Sequence, residues 1–234
     1  MAPVSSDNQI KAFVEQVENG NYAASDINQE FDSEFSFYLS KDPSKESYVT
    51  FGGYDLGQFA KDGAQERDVF WVDMVRGEKF WTVRMDQVQL VSSDNQAVNA
   101  VEIHSKYAIL DTGASYSIIP PRDFKAIKEH LQNNYKVTCN APENQSMVDA
   151  YKCDCPAHDS LPDIQLEFFA KNTNQKKQFV LPKSAYMEKN GAVCGSLLIT
   201  PSETHFGRSE SEGYWVLGDN FLQNYYTIYS FREK

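Results

Sequence analysis

Residues 108–120 read AILDTGASYSIIP. Ala108, Ile109 and Leu110 have the character of a buried strand. Asp111, Thr112 and Gly113 turn the chain, and apolar residues resume at Ile118 and Ile119. Burying a carboxylate costs several kcal/mol unless hydrogen bonds or a pKa shift compensate it. Chains accept that cost mostly where a carboxyl works as an acid or base. Gly113 lets backbone N–H groups approach the carboxylate with no Cβ in the way. A strand of Ile109 and Leu110 thus delivers Asp111 straight into a turn. The structural alternative is plain turn chemistry, in which Asp caps and Gly bends the chain.

The surrounding sequence supplies strands. The runs FSFYL at 35–39 and YVTFGG at 48–53 flank KDPSKES, a turn-rich segment, and predict a hairpin. DVFWVDMV and FWTVRMDQVQLV are strand-like on either side of Arg76, Gly77 and Glu78. In the second run Trp81, Val83 and Met85 share one face and Arg84 and Asp86 the other. Further strands are predicted in DIQLEFF, QFVLP, AVCGSLLI, YWVLG and NYYTIYSF. Helices are expected after Ser6 or Asp7, ending at Gly20, and from Pro121 to about Gln132, where Phe124, Ile127 and Leu131 share a face. Residues 133–150 are polar and predict a loop with one short strand. There is no internal repeat and no composition break. The reading is a mainly β fold with two or three short helices, in one domain over residues 1–234.

Composition excludes several functions. The 234 residues carry a net charge of −11 and no basic cluster, so nucleic acid is not an expected partner. No apolar run reaches the length of a membrane-crossing helix, and no membrane association is expected. The segment MAPVSSDNQ has neither a charged nor an apolar leader region, and is not read as a signal peptide. Cys139, Cys153, Cys155 and Cys194 permit two disulfides in three pairings. A zinc site from Cys139, Cys153, Cys155 and His158 is the alternative, but Cys-x-Cys spacing fits a zinc knuckle poorly. No metal or cofactor is expected. Asn144 opens an Asn-Gln-Ser glycosylation sequon, readable only in a secretory compartment.

The blocks around Asp111 resemble the pepsin-like aspartic proteases. Hydrophobic-hydrophobic-Asp-Thr-Gly resembles that family's active-site loop. EFSFYLS at 34–40 and TFGGYD at 50–55 resemble its paired strands and F-G-G-x-D turn. KFWTVRMDQV at 79–88, SLPDI at 160–164, YWVLGDNFL at 214–222 and the aromatic strand at 224–231 follow in the family's order. Every block resembles the C-terminal lobe of the bilobal fold. No second D-[TS]-G and no flap hairpin is recognisable. An N-terminal lobe of roughly 170 residues and a last apolar strand are expected to lie outside this chain.

The resemblance implies a mechanism. Two aspartates about 3 Å apart, one from each lobe, share a proton and hydrolyse a peptide bond through an activated water. Asp111 supplies one. Alone it has no partner against which to split its proton affinity, so the isolated chain is expected to be inactive. By the same resemblance Thr112 braces the opposing loop, Gly113 points its N–H at the carboxylate, and Gly218 threads beside the loop. Ala114 stands where the family usually has a hydroxyl. Ser230 stands where it commonly has Asp. Phe80, Ile109 and Val216 would line the substrate cleft, each with core packing as its structural alternative. Cys155 and Cys194 would form the lobe's disulfide, closing about 40 residues for roughly 3–4 kcal/mol, which leaves Cys139 to pair with Cys153. His104, His130 and His205 are expected at the surface. The implied partners are a peptide or protein substrate and an N-terminal lobe, and the implied compartment is secretory, lysosomal, vacuolar or extracellular. Two other functions compete: a homodimeric half-protease with two copies of Asp111 across a two-fold axis, and an inactive module that binds peptides or proteins.

Overall fold

The structure, a computed structural model, describes residues 34–76, 78, 80–92, 97–141, 151–154, 158–190, 193–197, 199–201 and 213–231. The helix expected before Gly20, Asn144, Cys155 and His205 lie outside them. The strands are β1 (Glu34–Tyr38), β2 (Tyr48–Phe51), β3 (Thr82–Val91), β4 (Ala97–Val101), β5 (Tyr107–Leu110), β6 (Ser117–Ile119), β7 (Thr138–Asn140), β8 (Tyr151–Asp154), β9 (Asp163–Phe169), β10 (Lys176–Leu181), β11 (Met187–Asn190), β12 (Val193–Leu197), β13 (Ile199–Pro201), β14 (Trp215–Leu217) and β15 (Thr227–Ser230). The helices are α1 (Leu56–Phe59), α2 (Pro121–Tyr135), α3 (Lys183–Tyr186) and α4 (Asp219–Leu222). The fold is mainly β, as expected.

Three sheets share these strands. The largest runs β10-β9-β3-β5-β14-β6-β13, with β4 also on β3. Its centre is mixed: β14 is parallel to β5, with Val216 opposite Ile109, and antiparallel to β6, with Val216 opposite Ile118. A second sheet runs β15-β1-β2 and a third β11-β12-β8-β7. The predicted hairpin is β1 with β2, where Phe35 faces Phe51 and Tyr38 faces Tyr48.

Periodicity explains the best-read elements. In β9, Ile164, Leu166 and Phe168 are buried and the residues between them half-buried. In α2, Pro121 opens the first turn and Phe124, Ile127 and Leu131 face the core, each burial worth about 1.5–3 kcal/mol. The helix runs past Gln132 to Tyr135 and ends on Lys136 in the left-handed region, φ 58°. The hydrophobic core lies between the large sheet and α2. A separate aromatic box holds Phe35, Trp81, Tyr229 and Phe231, with Phe35 stacked on Tyr229 at 4.9 Å.

One expectation is corrected. The run DVFWVDMV is not a strand: a short 3-10 turn at Glu66–Asp68 precedes an irregular segment whose one bridge joins Met74 to Val83. The reason is edge occupancy. β5 takes Thr82, Val83 and Arg84 on one side of β3, and β9 takes the positions from Met85 onward. The polar stretch after α2 holds β7, and β8 follows it to complete a pair across which Cys139 and Cys153 are opposite and form a disulfide. That bond consumes two of the four donors of the alternative zinc site. Cys194 lies on β12, but its side chain and Cys155 are outside the described residues, so the second pairing is too.

Candidate active-site loop

Asp111 follows directly on β5 and is half-buried. The parallel pairing of β5 and β14 sets its position. Its N–H donates to the Leu217 carbonyl at 3.1 Å, extending the ladder by one bond. Gly113 N–H donates to Asp111 Oδ1 at 2.9 Å. Ala114 N–H closes the turn on the Asp111 carbonyl at 3.3 Å. Asp111 thus stands at a strand end, tied at one oxygen, with the rest of the carboxyl toward the loop surface.

Gly218 fits this loop for a reason of space. A Cβ on it would stand 2.4 Å from the Ala114 carbonyl oxygen and 2.7 Å from that of Tyr116. Only glycine lets the two backbone segments cross there. Asp219 N–H then donates to the Ala114 carbonyl at 2.7 Å and Asn220 N–H to the Ser115 carbonyl at 3.3 Å. The Asp111 loop and the 218–220 turn are laced together through the backbone.

Asp219 follows the crossing glycine directly. Burial pushes the Asp219 carboxyl above its ordinary value, and the Asp111 charge pushes it the same way. Its Oδ1 is buried, with no hydrogen-bond partner among the described residues. The chain therefore brings two carboxyls into electrostatic reach of each other. The sequence carries Asp219 in plain view within YWVLGDNFL, but only the parallel register places it near Asp111.

The other candidates divide. Ile109 and Val216 are buried and pack with Tyr214, Tyr107, Ala114 and Ile118 in a small apolar cluster. Tyr214 caps it, its hydroxyl donating to Glu78 Oε1 at 2.8 Å. Phe80 stands exposed just before β3. Thr112 is half-exposed at the loop tip, and its hydroxyl has no hydrogen bond among the described residues. His130, expected at the surface, is half-buried. Burial pulls its imidazole below the ordinary value, and its Nε2 is buried with no hydrogen-bond partner among the described residues.

A third carboxylate holds the site from behind. Asp123, fully buried in the first turn of α2, accepts from Trp215 Nε1 at 2.8 Å, His104 N–H at 2.8 Å and Ser105 N–H at 3.3 Å. It ties α2 to β14 and to the segment that enters β5. Tyr229 lies in the aromatic box beneath Leu110. Burial is the first cause raising its hydroxyl, to about 12, and the Asp111 charge adds to it.

The strand-end aspartate, its glycine neighbour and the crossing glycine define a class. Residues 11–234 match the family of eukaryotic aspartyl proteases, and the chain belongs to that family. Among curated relatives it is 32% identical over 195 residues to Pepsin-2B of Gadus morhua, covering 83% of this chain and 50% of that protein. It is 30% identical over 199 residues to the Vacuolar aspartic protease of Candida albicans, covering 84% and 40%. It is 28% identical over 195 residues to a Pregnancy-associated glycoprotein of Equus caballus, covering 83% and 42%. The chain spans about half the length of the curated relatives it matches, or less.

Proposed function

We propose that this chain is the C-terminal lobe of a pepsin-like acid peptidase and supplies one of its two catalytic aspartates, Asp111. The second carboxylate comes from an N-terminal lobe. The observation that carries the reading is the Asp111 carboxyl, delivered by a buried parallel strand pair into an open loop and tied at one oxygen only. A group so placed has lone pairs left for a water. One carboxylate takes the water's proton while a protonated neighbour polarises the scissile carbonyl. The water oxygen attacks the carbonyl carbon, and the amine leaves with the transferred proton. Thr112, whose hydroxyl has no hydrogen bond among the described residues, would brace the opposing loop. Phe80, exposed, would present apolar surface to a substrate side chain, whereas Ile109 and Val216, expected from the sequence to line the cleft, are buried and pack behind the loop.

Asp219 does not replace the absent partner. Its Oδ1 is buried, so that oxygen is not open to a water or a substrate. Peptide and protein substrates are the proposed substrate class. The Cys139–Cys153 disulfide favours an oxidising compartment, and a secretory or vacuolar location is proposed with it. No helix among the described residues is long and apolar enough to cross a membrane.

A second reading has its own observation. β2 is a sheet edge, and its Tyr48, Val49 and Phe51 are exposed. Such an edge seeks a strand partner, and an inactive binding module or a homodimer would use it as well. Sedimentation of the purified chain together with an acid digest of an unfolded protein at about pH 4 separates the readings. A monomer without cleavage is expected. A dimer that cleaves, with cleavage lost in Asp111→Asn, would replace the proposal with the homodimeric half-protease.

A further inference from the structure

Away from the Asp111 loop, a cleft of roughly 410 Å³ opens between the segment at 72–73, β3 and the turn joining β9 to β10. Its volume lies within the ordinary range for small-ligand sites. Arg84 projects into it. The guanidinium carbon stands 4.6 Å from the centroid of the Phe169 ring. Stacking of this kind fixes the plane of the guanidinium and leaves its N–H edge free to donate. Arg84 has no hydrogen bond and no ion pair among the described residues. Lys176 stands over the same ring at 5.1 Å, but Asp86 and Glu167 already neutralise it, at 2.5 and 3.3 Å. In a chain with 33 acidic and 22 basic residues, this arginine lies on an aromatic face, with Asp73 lining the same cleft.

The facing wall is also built. Asn172 adopts the left-handed region, φ 55°, and its N–H donates to Asp73 Oδ2 at 2.9 Å. Lys171 N–H donates to the Trp71 carbonyl at 2.7 Å, which pins the turn to the neighbouring segment. Asn172, Thr173 and Asn174 line the cleft beside Arg84, offering amide and hydroxyl groups of the kind that pair with peptide bonds.

We propose that this cleft binds an extended peptide by one carboxylate, from an acidic side chain or a chain terminus, held by Arg84. The 172–174 turn hydrogen-bonds the peptide's backbone. Asp73 sets the charge of the ligand. Its carboxylate in the same cleft is tolerable beside a singly charged group paired to Arg84. Beside a doubly charged phosphate it is repulsive. The proposal does not depend on Asp111 or on any peptidase activity.

The test is an NMR titration of the full chain, labelled with nitrogen-15, with acetyl-Ala-Glu-Ala-amide. Its Gln and phosphoserine counterparts are titrated in parallel. Saturable shifts are expected at the Arg84 side-chain N–H and the amides of 171–174, with a dissociation constant of about 0.1–3 mM. The Gln peptide should bind at least about tenfold more weakly, and so should the Glu peptide to Arg84→Ala. Binding should fade as the peptide's glutamate is protonated, below about pH 4.3. Equal binding of the Glu and Gln peptides by the unaltered chain would overturn the proposal, whether or not the variant folds. So would tighter binding of the phosphoserine peptide, or the absence of saturable shifts at Arg84.

Discussion

Asp111 and Asp123 are two carboxylates of the same mixed sheet region with opposite surroundings. Asp123 is fully buried and takes three N–H donors, so its oxygens are committed. Asp111 is half-buried and takes one, from Gly113. The difference separates scaffold from chemistry. A saturated buried carboxylate stores its interaction energy in the fold, and an under-coordinated one at a loop keeps capacity for a water or substrate. Asp219 lies between them, enclosed like Asp123 at Oδ1 but without its donors.

Removing Asp123 should break the scaffold side of this comparison and have the largest effect. Asp123→Ala leaves Trp215 Nε1 and two backbone N–H groups unpaired, and should cost about 3–5 kcal/mol in urea unfolding. Asp111→Asn should change stability by no more than about 1 kcal/mol in the same assay. Equal losses at the two positions would erase the distinction.

Gly218→Ala comes next. Its Cβ meets two backbone oxygens within 2.7 Å, which cannot yield as a side-chain tip does. A loss of about 2–3 kcal/mol is expected, together with shifted amide resonances at Asp111, Gly113 and Ala114. A stable variant with unmoved loop resonances would mean that the crossing is looser than described.

The smallest effect sharpens the position of Asp219. Its carboxyl is raised by burial and by Asp111, so folding favours the protonated form. The stability it contributes is full below the ordinary aspartate pKa and is lost as pH rises through the raised value. Asp219→Asn should match the unaltered chain at low pH and gain on it as pH rises through that window. Much of the group faces solvent, so screening keeps the gain small. Unfolding curves at several pH values would show it, and a gain that shrinks with rising pH would contradict the placement.

What the sequence made legible followed local periodicity. The alternation of DIQLEFF and the helical spacing of Phe124, Ile127 and Leu131 each report a face, and both elements formed where they did. The run DVFWVDMV has the composition of a strand, but a strand needs a free edge, and β3 had only Val83 to offer. Asp111 was legible because a carboxylate inside an apolar run is costly at short range. The nearness of Asp219, and the tie from Asp123 to Trp215, arise from parallel pairing across about a hundred residues, which no local pattern encodes. Gly218 was visible as a family position, while its physical reason, the crossing of two backbones, required the three-dimensional contact.

On the proposed reading, Asp111 performs chemistry only when a second lobe supplies its partner. The direct measurement is kcat of the chain co-folded with the N-terminal half of a relative such as Pepsin-2B, on an unfolded protein at about pH 4. The account predicts turnover by the co-folded pair, none by either half alone, and a loss of at least about a thousandfold in Asp111→Asn with stability retained. Turnover that survives Asp111→Asn, or that the isolated chain shows at the same rate, would contradict it.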